Sequence, residues 1–204
     1  MELIRAISTR RTVRDFAEEA IPDPIIKKAL EAGLKAPSYN HQKQWDFILV
    51  KNREIRLQLT QTEAMKDKVD NDLQEKFEKH DPLSKAMYLE AIPKQRSMMM
   101  EAPELLIVVY KPKTSIKESV RVYDLNCLSS VWCCIENILL SLAEDEVFGV
   151  TFIPQNTERV KDILNIPSDL EVAAFIPFGR KAANITLLPQ KEVSVAEKLH
   201  INQW

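Results

Sequence analysis

The chain has 204 residues, of which 45% are hydrophobic and 28% charged, and its formal net charge is −2. This length and composition are typical of a single folded domain with a substantial core. The small net charge excludes a broad basic field of the kind that attracts nucleic acid or an anionic membrane. A phosphate-bearing ligand would therefore have to be held by local side chains.

The cysteines, the histidines and the apolar runs indicate which cellular compartment and which partners to expect. Cys127, Cys133 and Cys134 fall in one apolar segment, and their odd number argues against a disulfide framework. Three scattered histidines add no zinc-binding pattern. The longest apolar runs are too short to span a bilayer, and the N-terminus lacks a secretory core. We therefore expect a cytoplasmic protein without a metal or membrane partner, in which Cys133 and Cys134 are buried and inert.

Glycine is scarce, and this excludes two common phosphate-binding motifs. Only Gly33, Gly149 and Gly179 occur, each far from the others. A dinucleotide fingerprint or a P-loop needs several glycines in one short turn, so that the backbone can approach the phosphate. If this protein binds a phosphate-bearing cofactor, side chains rather than a glycine-rich backbone turn must hold the phosphate.

Hydrophobic periodicity predicts the elements along the chain. Helices are predicted over residues 1–7, 22–36, 83–91, 123–144 and 157–164. Strands are predicted over residues 46–50, 104–110 and 172–178, with a loop or short strand at 148–154. Thr157 is the expected N-cap of the last long helix, and the tail from 194 to 204 holds one short helix.

The long segment 52–100 is charged and helical, without a strand signal. An apolar stripe at intervals of four residues predicts one charged helix there, formed by Met65, Val69, Leu73 and Phe77. The strand at 104–110 is apolar on both faces and should be central, and the helix at 123–144 should be the buried spine of the fold. These elements indicate an α/β or α+β protein with four or five strands.

A cluster of three arginines, Arg10, Arg11 and Arg14, follows the first predicted helix. Guanidinium groups bind phosphate oxygens in a bidentate manner, and neighbouring hydroxyls such as that of Thr12 add donors. Apolar Ile7, Val13 and Phe16 would fix the cluster to a core. The alternative is a solvated basic turn between two helices, and on the cluster alone we favour that alternative.

Two further polar stretches are candidate binding loops. Residues 37–45 are rich in hydrogen-bonding groups and lead into a strand, although His41 alone is better explained as a surface or capping residue. Gly179, Arg180 and Lys181 follow the last strand and form a second candidate anion contact. A solvated turn explains them equally well.

In order and spacing, these stretches resemble the nitroreductase family of flavin-dependent oxidoreductases. The likeness covers nearly the whole chain. It is carried by residues 10–16, 21–32, 36–47, 124–150, 163–167 and 175–179.

The resemblance implies one nitroreductase-like domain over residues 1–204 that binds flavin mononucleotide (FMN). The implied fold is α+β in layers, with a mixed sheet of four to five strands flanked by helices. The fold would also include an additional helical segment at about 52–100 and a C-terminal arm at about 190–204. The protein would be a homodimer in which this arm reaches onto the other subunit. NADH or NADPH would reduce the flavin, which would pass electrons to a nitroaromatic, a quinone or a similar small acceptor in a ping-pong scheme.

The resemblance also implies roles by motif position. Arg10, Arg11 and Thr12 would contact the phosphate and the ribityl chain, and Gly179, Arg180 and Lys181 would complete the phosphate pocket. Arg14 would lie at the pyrimidine edge of the flavin ring, and the ring itself would be lined by Pro37, Ser38 and Tyr39. The N5 region of the ring would be contacted by Ile153 and Pro154. His41 stands where many members have Asn, so its contact would be with flavin or substrate. No catalytic acid, base or nucleophile is implied, because the flavin carries the chemistry and Arg14 and His41 would only assist.

Two other functions remain open from the sequence. The first keeps the fold but makes the protein a flavin store or a dehalogenase-like relative. The second is a non-enzymatic interaction protein that uses the 52–100 segment, with the arginine cluster on a plain surface.

Overall fold

A four-stranded antiparallel sheet lies at the centre of the protein in the computed structural model, which describes residues 3–204. Its strands stand in the order β1-β2-β4-β3, and the described part of the chain has no other named strand. Their bounds are Trp45–Leu49 for β1, Glu104–Tyr110 for β2, Phe148–Gly149 for β3 and Glu171–Gly179 for β4. The α+β class and the four-strand sheet are therefore confirmed.

Strand β2 is central, as the apolar run from Leu105 to Tyr110 predicts. All seven of its residues are buried, and it pairs with β1 on one edge and β4 on the other. Its side chains alternate between two separate cores: Leu106 and Val108 enter one, while Leu105 and Ile107 enter the other. A sheet buried on both faces needs helices on both sides, which explains why β2 reads as a continuous apolar run.

Helices cover both faces of the sheet. One core contains residues of α2 and α7, and the other contains residues of α3, α6 and α8. The helices are α1 Leu3–Thr9, α2 Asp23–Leu34, α3 Arg53–Thr60, α4 Asn71–Lys76, α5 Pro82–Ala91, α6 Gln95–Glu101, α7 Asn126–Glu144 and α8 Thr157–Leu164.

The predicted continuous helix through Met65, Val69, Leu73 and Phe77 is wrong. Only Asn71–Lys76 is helical there, and Met65 and Val69 precede it in irregular chain. The Asp70 side chain accepts a hydrogen bond from the Leu73 N–H at 2.8 Å and so begins a new helix at that point. A strong N-cap decides the boundary more firmly than apolar spacing does.

Two smaller predictions also fail. The N-cap of α8 is Asn156, whose side chain accepts from the Arg159 N–H at 3.2 Å, and Thr157 is already helical. Cys134 is buried, and this burial raises the pKa of its thiol to about 12, but Cys133 is exposed. Cys133 lies on the exposed face of α7 with Ser129 and Glu136, whereas Cys134 shares the buried face with Ile135 and Ile138.

Helix α7 packs against α2 and the sheet on one side and is open on the other. Ser129, Cys133 and Glu136 are exposed and follow one another at helical spacing. With the turn before it, Val122–Glu144 is long and apolar enough to cross a membrane by length and composition, and it contributes core residues in this fold. The buried central helix predicted over residues 123–144 is therefore present as α7, but only one of its faces is buried.

Candidate functional site

The arginine cluster lies on the β3 edge of the sheet. Thr12 forms a parallel bridge with Gly149, and the Val13 N–H donates to the Gly149 carbonyl at 3.4 Å. The Val13 side chain is fully buried, and Phe16 pairs with Lys181 in a second, antiparallel bridge. The prediction that apolar neighbours would fix the cluster to a core is confirmed for Val13 and Phe16 and wrong for Ile7, which is 50% exposed. The Thr12 bridge is parallel but lies outside the four named strands, which all pair antiparallel, so the sheet is antiparallel and not mixed as predicted.

The three arginines point to two places. Arg11 and Arg14 line one cavity together with Thr12. The Arg11 guanidinium donates to the Leu188 carbonyl, and the Arg14 guanidinium contacts the Glu90 carboxylate at 2.7 Å. Arg10 instead faces α7, where its Nε lies 3.5 Å from a carboxylate oxygen of Glu136.

The cavity beside Arg11 and Arg14 has a volume of about 220 Å³. Its other walls come from distant parts of the chain: Met87 and Glu90 of α5, and the segment after β4 that includes Ile185 and Leu188. Two guanidinium groups and a hydroxyl are a donor set suited to a phosphate ester or another anionic oxygen. Ligand pockets for molecules of cofactor size measure about 300–1,000 Å³, so this cavity would enclose only part of one.

The loop from Pro37 to Lys43 forms a separate cavity. A space of about 270 Å³ is lined by Pro37, Ser38 and Tyr39 together with residues at the start of α7. The Tyr39 N–H donates to Ser130 Oγ at 2.9 Å, and the Lys43 N–H donates to Ser38 Oγ at 3.1 Å. None of the arginines lines this cavity. The two groups of predicted site residues thus lie at different cavities of one chain.

Backbone strain is concentrated in the same loop. Asn40, His41 and Lys43 have φ values of 50°, 57° and 48°. Left-handed conformations cost energy for residues with a Cβ and cluster at functional sites. His41 itself is exposed and lines neither of the two cavities. Its role as an assisting residue stays a prediction.

Tyr39 belongs to a cluster that sequence reasoning missed. Its hydroxyl forms a hydrogen bond with that of Tyr123, and Lys113 Nζ lies 3.7 Å from the centre of the Tyr123 ring. The hydrogen bond with Tyr39 and the charge of Lys113 lower the pKa of Tyr123, and the same hydrogen bond raises the pKa of Tyr39. No local signal in the sequence connects positions 39, 113 and 123.

The turn after β3 borders the largest of these cavities. Phe152 pairs with Phe175 of β4, Ile153 is 58% exposed, and Pro154 is buried. A cavity of about 560 Å³ is bounded by Thr151, Phe152 and Ile153 on one side and by the 52–100 segment on the other. The Glu63 carboxylate ties the two together by accepting the N–H groups of Gln155 and Asn156.

The residues after β4 have separate environments. The Arg180 guanidinium is occupied by Glu19 at 2.9 Å and by the Asp145 carbonyl at 3.0 Å. Lys181 is exposed, and its backbone pairs with Phe16 next to the arginine cluster. Neither Arg180 nor Lys181 lines the cavity beside Arg11 and Arg14, so the contact of either cation with a phosphate stays a prediction.

Comparison with known proteins decides the family. The sequence profile of the nitroreductase family matches residues 7–180. The chain belongs to this family. The resemblance seen in the sequence is confirmed, and with it the assignment to a family of flavoprotein oxidoreductases.

Individual relatives at different levels of sequence identity also support the family assignment. A protein of Archaeoglobus fulgidus, provisionally named NADH dehydrogenase/NAD(P)H nitroreductase, is 35% identical over all of this chain and 99% of its own length. An iodotyrosine deiodinase of Thermotoga neapolitana is 23% identical over 91% of this chain and 92% of its own.

A solved structure shares the fold. An iodotyrosine deiodinase crystallised with FMN and 3-iodo-L-tyrosine superposes with a TM-score of 0.75 at 22% identity, covering 100% of both chains.

Gly179 has a structural role that can be tested. A Cβ at this position would lie 2.6 Å from Cδ of Pro103 and 3.2 Å from a ring carbon of Phe16. Because a proline ring cannot turn aside, we expect Gly179→Ala to lower the free energy of unfolding by about 1–3 kcal/mol, measured by chemical denaturation of the flavin-free protein.

Lys181→Ala, a change at the exposed neighbouring residue, is the matched control and should alter stability by no more than about 0.5 kcal/mol. Unchanged stability of Gly179→Ala would show that the backbone relaxes away from Pro103.

Proposed function

We propose that this protein is an FMN-dependent oxidoreductase that transfers electrons from NADH or NADPH to a nitroaromatic, a quinone or a similar small acceptor. The observation that supports this most directly is the convergence of Arg11, Thr12 and Arg14 on one cavity at the sheet edge of a nitroreductase-family chain. The name of the A. fulgidus relative supports the nicotinamide donor.

When bound, FMN accepts a hydride, which is two electrons with one proton, from NADH or NADPH and later delivers two electrons to the acceptor. In this proposal Arg11 and Thr12 would hold the phosphate and ribityl chain within the arginine cavity, while Arg10, on the side of α7, and Lys181 would approach it from outside the cavity lining. The guanidinium of Arg14 would hold the pyrimidine edge of the ring, where its positive charge would stabilise the negative charge that reduction adds. Gly179 shapes the pocket through its packing, and Arg180 supports it through Glu19 and Asp145.

Other residues of the site are proposed to act on the ring. Pro37, Ser38 and Tyr39 line it, and the turn containing Ile153 and Pro154 offers backbone groups to its N5 edge. The cavity between this turn and the 52–100 segment is open to a small acceptor. Hydride transfer needs position and electrostatics from the protein, so the lack of a catalytic acid or nucleophile is consistent with this function.

A homodimer would resolve the separation of the two cavities. One cavity carries the arginines and the other carries Pro37, Ser38 and Tyr39, and the first is too small for a whole flavin. A two-fold axis places identical surfaces of two chains against each other, so it can bring the arginine cavity of one copy against the Ser38 cavity of the other. The exposed apolar side chains of α1, among them Leu3 and Ile4, are available for such an interface.

A reductive dehalogenation or a flavin-storage role is the second candidate. It is favoured by the iodotyrosine deiodinases among the relatives and by the fold shared with one of them. The two candidates differ in whether a nicotinamide reduces the bound flavin.

We expect the purified protein to be yellow, with flavin absorbance that bleaches on anaerobic addition of NADH or NADPH. An absorbance spectrum recorded before and after each nucleotide measures this. Bound flavin that neither nucleotide bleaches would favour the second candidate. A colourless protein that takes up no added FMN would reject both.

Arg11 and Arg14 should separate flavin binding from flavin reduction. We expect Arg11→Ala to weaken FMN binding by about 1.5–3 kcal/mol, the range for a hydrogen bond to a charged group. We expect Arg14→Ala to slow reduction by nicotinamide more than it weakens binding, because the charge that it stabilises develops on reduction. Fluorescence titration and stopped-flow absorbance measure the two quantities.

Arg53→Ala is the matched control, since Arg53 is an exposed arginine on α3 away from the cavity, and it should leave both quantities unchanged. Equal losses of binding and of rate in Arg14→Ala would contradict the role assigned to Arg14.

The shared site can be tested with hybrid dimers. Arg11→Ala and Ser38→Trp should each impair flavin binding when present in every chain. If each site takes Arg11 from one chain and Ser38 from the other, a hybrid dimer keeps one intact site. An equal mixture that has exchanged subunits should then recover about a quarter of the wild-type sites. Hybrids demonstrated by mass spectrometry but without recovered binding would place both residues of a site on one chain.

A further inference from the structure

Four charged side chains form a network around Arg14 that the sequence does not reveal. Arg14 contacts one carboxylate oxygen of Glu90 at 2.7 Å, and Lys94 contacts the other at 2.7 Å. Lys94 also contacts the carboxylate of Asp15 at 2.6 Å. The contacts run in one chain from Arg14 through Glu90 and Lys94 to Asp15.

The network is partly shielded from water. Its side chains are between 22% and 34% exposed, and Arg14, Glu90 and Asp15 line the arginine cavity. Burial opposes the charge of Lys94, but its hydrogen bonds to Asp15 and Glu90 outweigh that effect and raise the pKa of Lys94. With two cationic and two carboxylate side chains, the network has no formal net charge.

The network joins two parts of the chain. Arg14 and Asp15 belong to the segment on the sheet edge, whereas Glu90 ends α5 and Lys94 lies in the turn before α6. The 52–100 segment thus contributes one negative and one positive charge beside the cation assigned to the flavin.

We propose that Glu90 and Lys94 are positioning residues that set the reduction potential of the bound flavin, by holding Arg14 and by balancing its charge. This rests on the proposed function, in which hydride transfer adds negative charge beside Arg14. Glu90 offsets the positive charge that stabilises the reduced flavin, and Lys94 in turn offsets Glu90. In a partly desolvated site such charges act over several ångströms with little screening.

The proposal predicts shifts of opposite sign from neighbouring residues. Glu90→Gln keeps an acceptor for Arg14 and leaves the network with one net positive charge, so the flavin should become easier to reduce. Lys94→Met leaves one net negative charge, so the flavin should become harder to reduce. Asp15→Asn removes a negative charge and should act in the same direction as Glu90→Gln, with a smaller effect because Lys94 separates Asp15 from Arg14.

The measurement is the midpoint potential of the FMN-loaded protein, found by equilibration with a reference dye. At a fixed ambient potential, we expect the ratio of reduced to oxidised flavin to rise about threefold to tenfold in Glu90→Gln and to fall by a similar factor in Lys94→Met. Asp15→Asn provides a second variant with a positive shift, and Lys94→Gln replaces Lys94→Met if the latter does not fold.

The exposed i,i+4 pair Lys27–Glu31 on α2 provides matched controls, since its contact distance is 3.9 Å and it lies outside the arginine cavity. Lys27→Met and Glu31→Gln repeat the same chemical changes there and should leave the midpoint potential unchanged.

The outcomes separate the two proposals. Opposite shifts in the Glu90 and Lys94 variants, with flat controls, support the charge balance. Shifts of the same sign, or no shift in variants that bind flavin normally, overturn it and leave the network as a structural fastening. A wild-type protein without flavin instead overturns the proposed function on which this inference rests.

Discussion

The pairing of the arginine segment with the edge of the sheet is the constraint on which the candidate site depends. A phosphate site built from glycine-rich backbone is held by its own turn, but a site built from long side chains needs a backbone that is fixed elsewhere. The bridge from Thr12 to Gly149 and the burial of Val13 provide this fixation. Flexible side chains lose less entropy on binding when the chain that carries them is already ordered.

The 52–100 segment gives the site its second wall. It is tied to the sheet edge by Glu90 through Arg14 and to the turn after β3 by Glu63. Its buried Met98 and Met99 pack beneath β2 in the second core. The same segment therefore contributes to stability and encloses two cavities, so its charged composition does not reflect a merely solvated surface. It links the arginine cavity to the larger cavity beside Ile153 through one continuous run of helices.

The predicted site residues lie at two cavities of one chain, one with Arg11 and Arg14 and the other with Ser38. The proposed flavin site therefore needs residues from both cavities. The loop with Ser38 is ordered by its bond to α7, and three of its residues are held in left-handed conformations. Strain of this kind persists only where the surrounding contacts impose it. Helix α7 exposes Ser129, Cys133 and Glu136, and Glu136 lies 3.5 Å from Arg10 Nε.

From the sequence alone followed the α+β class, the order of the main helices and strands outside residues 52–100, the central position of β2 and the family. These follow from apolar periodicity and local motifs, which neighbouring residues encode. The break at Asp70, the exposure of Cys133 and the contacts of Arg14 with Glu90 and of Tyr39 with Tyr123 were decided only by the tertiary structure. Partners 76 and 84 positions apart are brought together by packing of whole helices against the sheet. No local pattern records such a distance, and a charge in the sequence does not show which opposite charge it will meet.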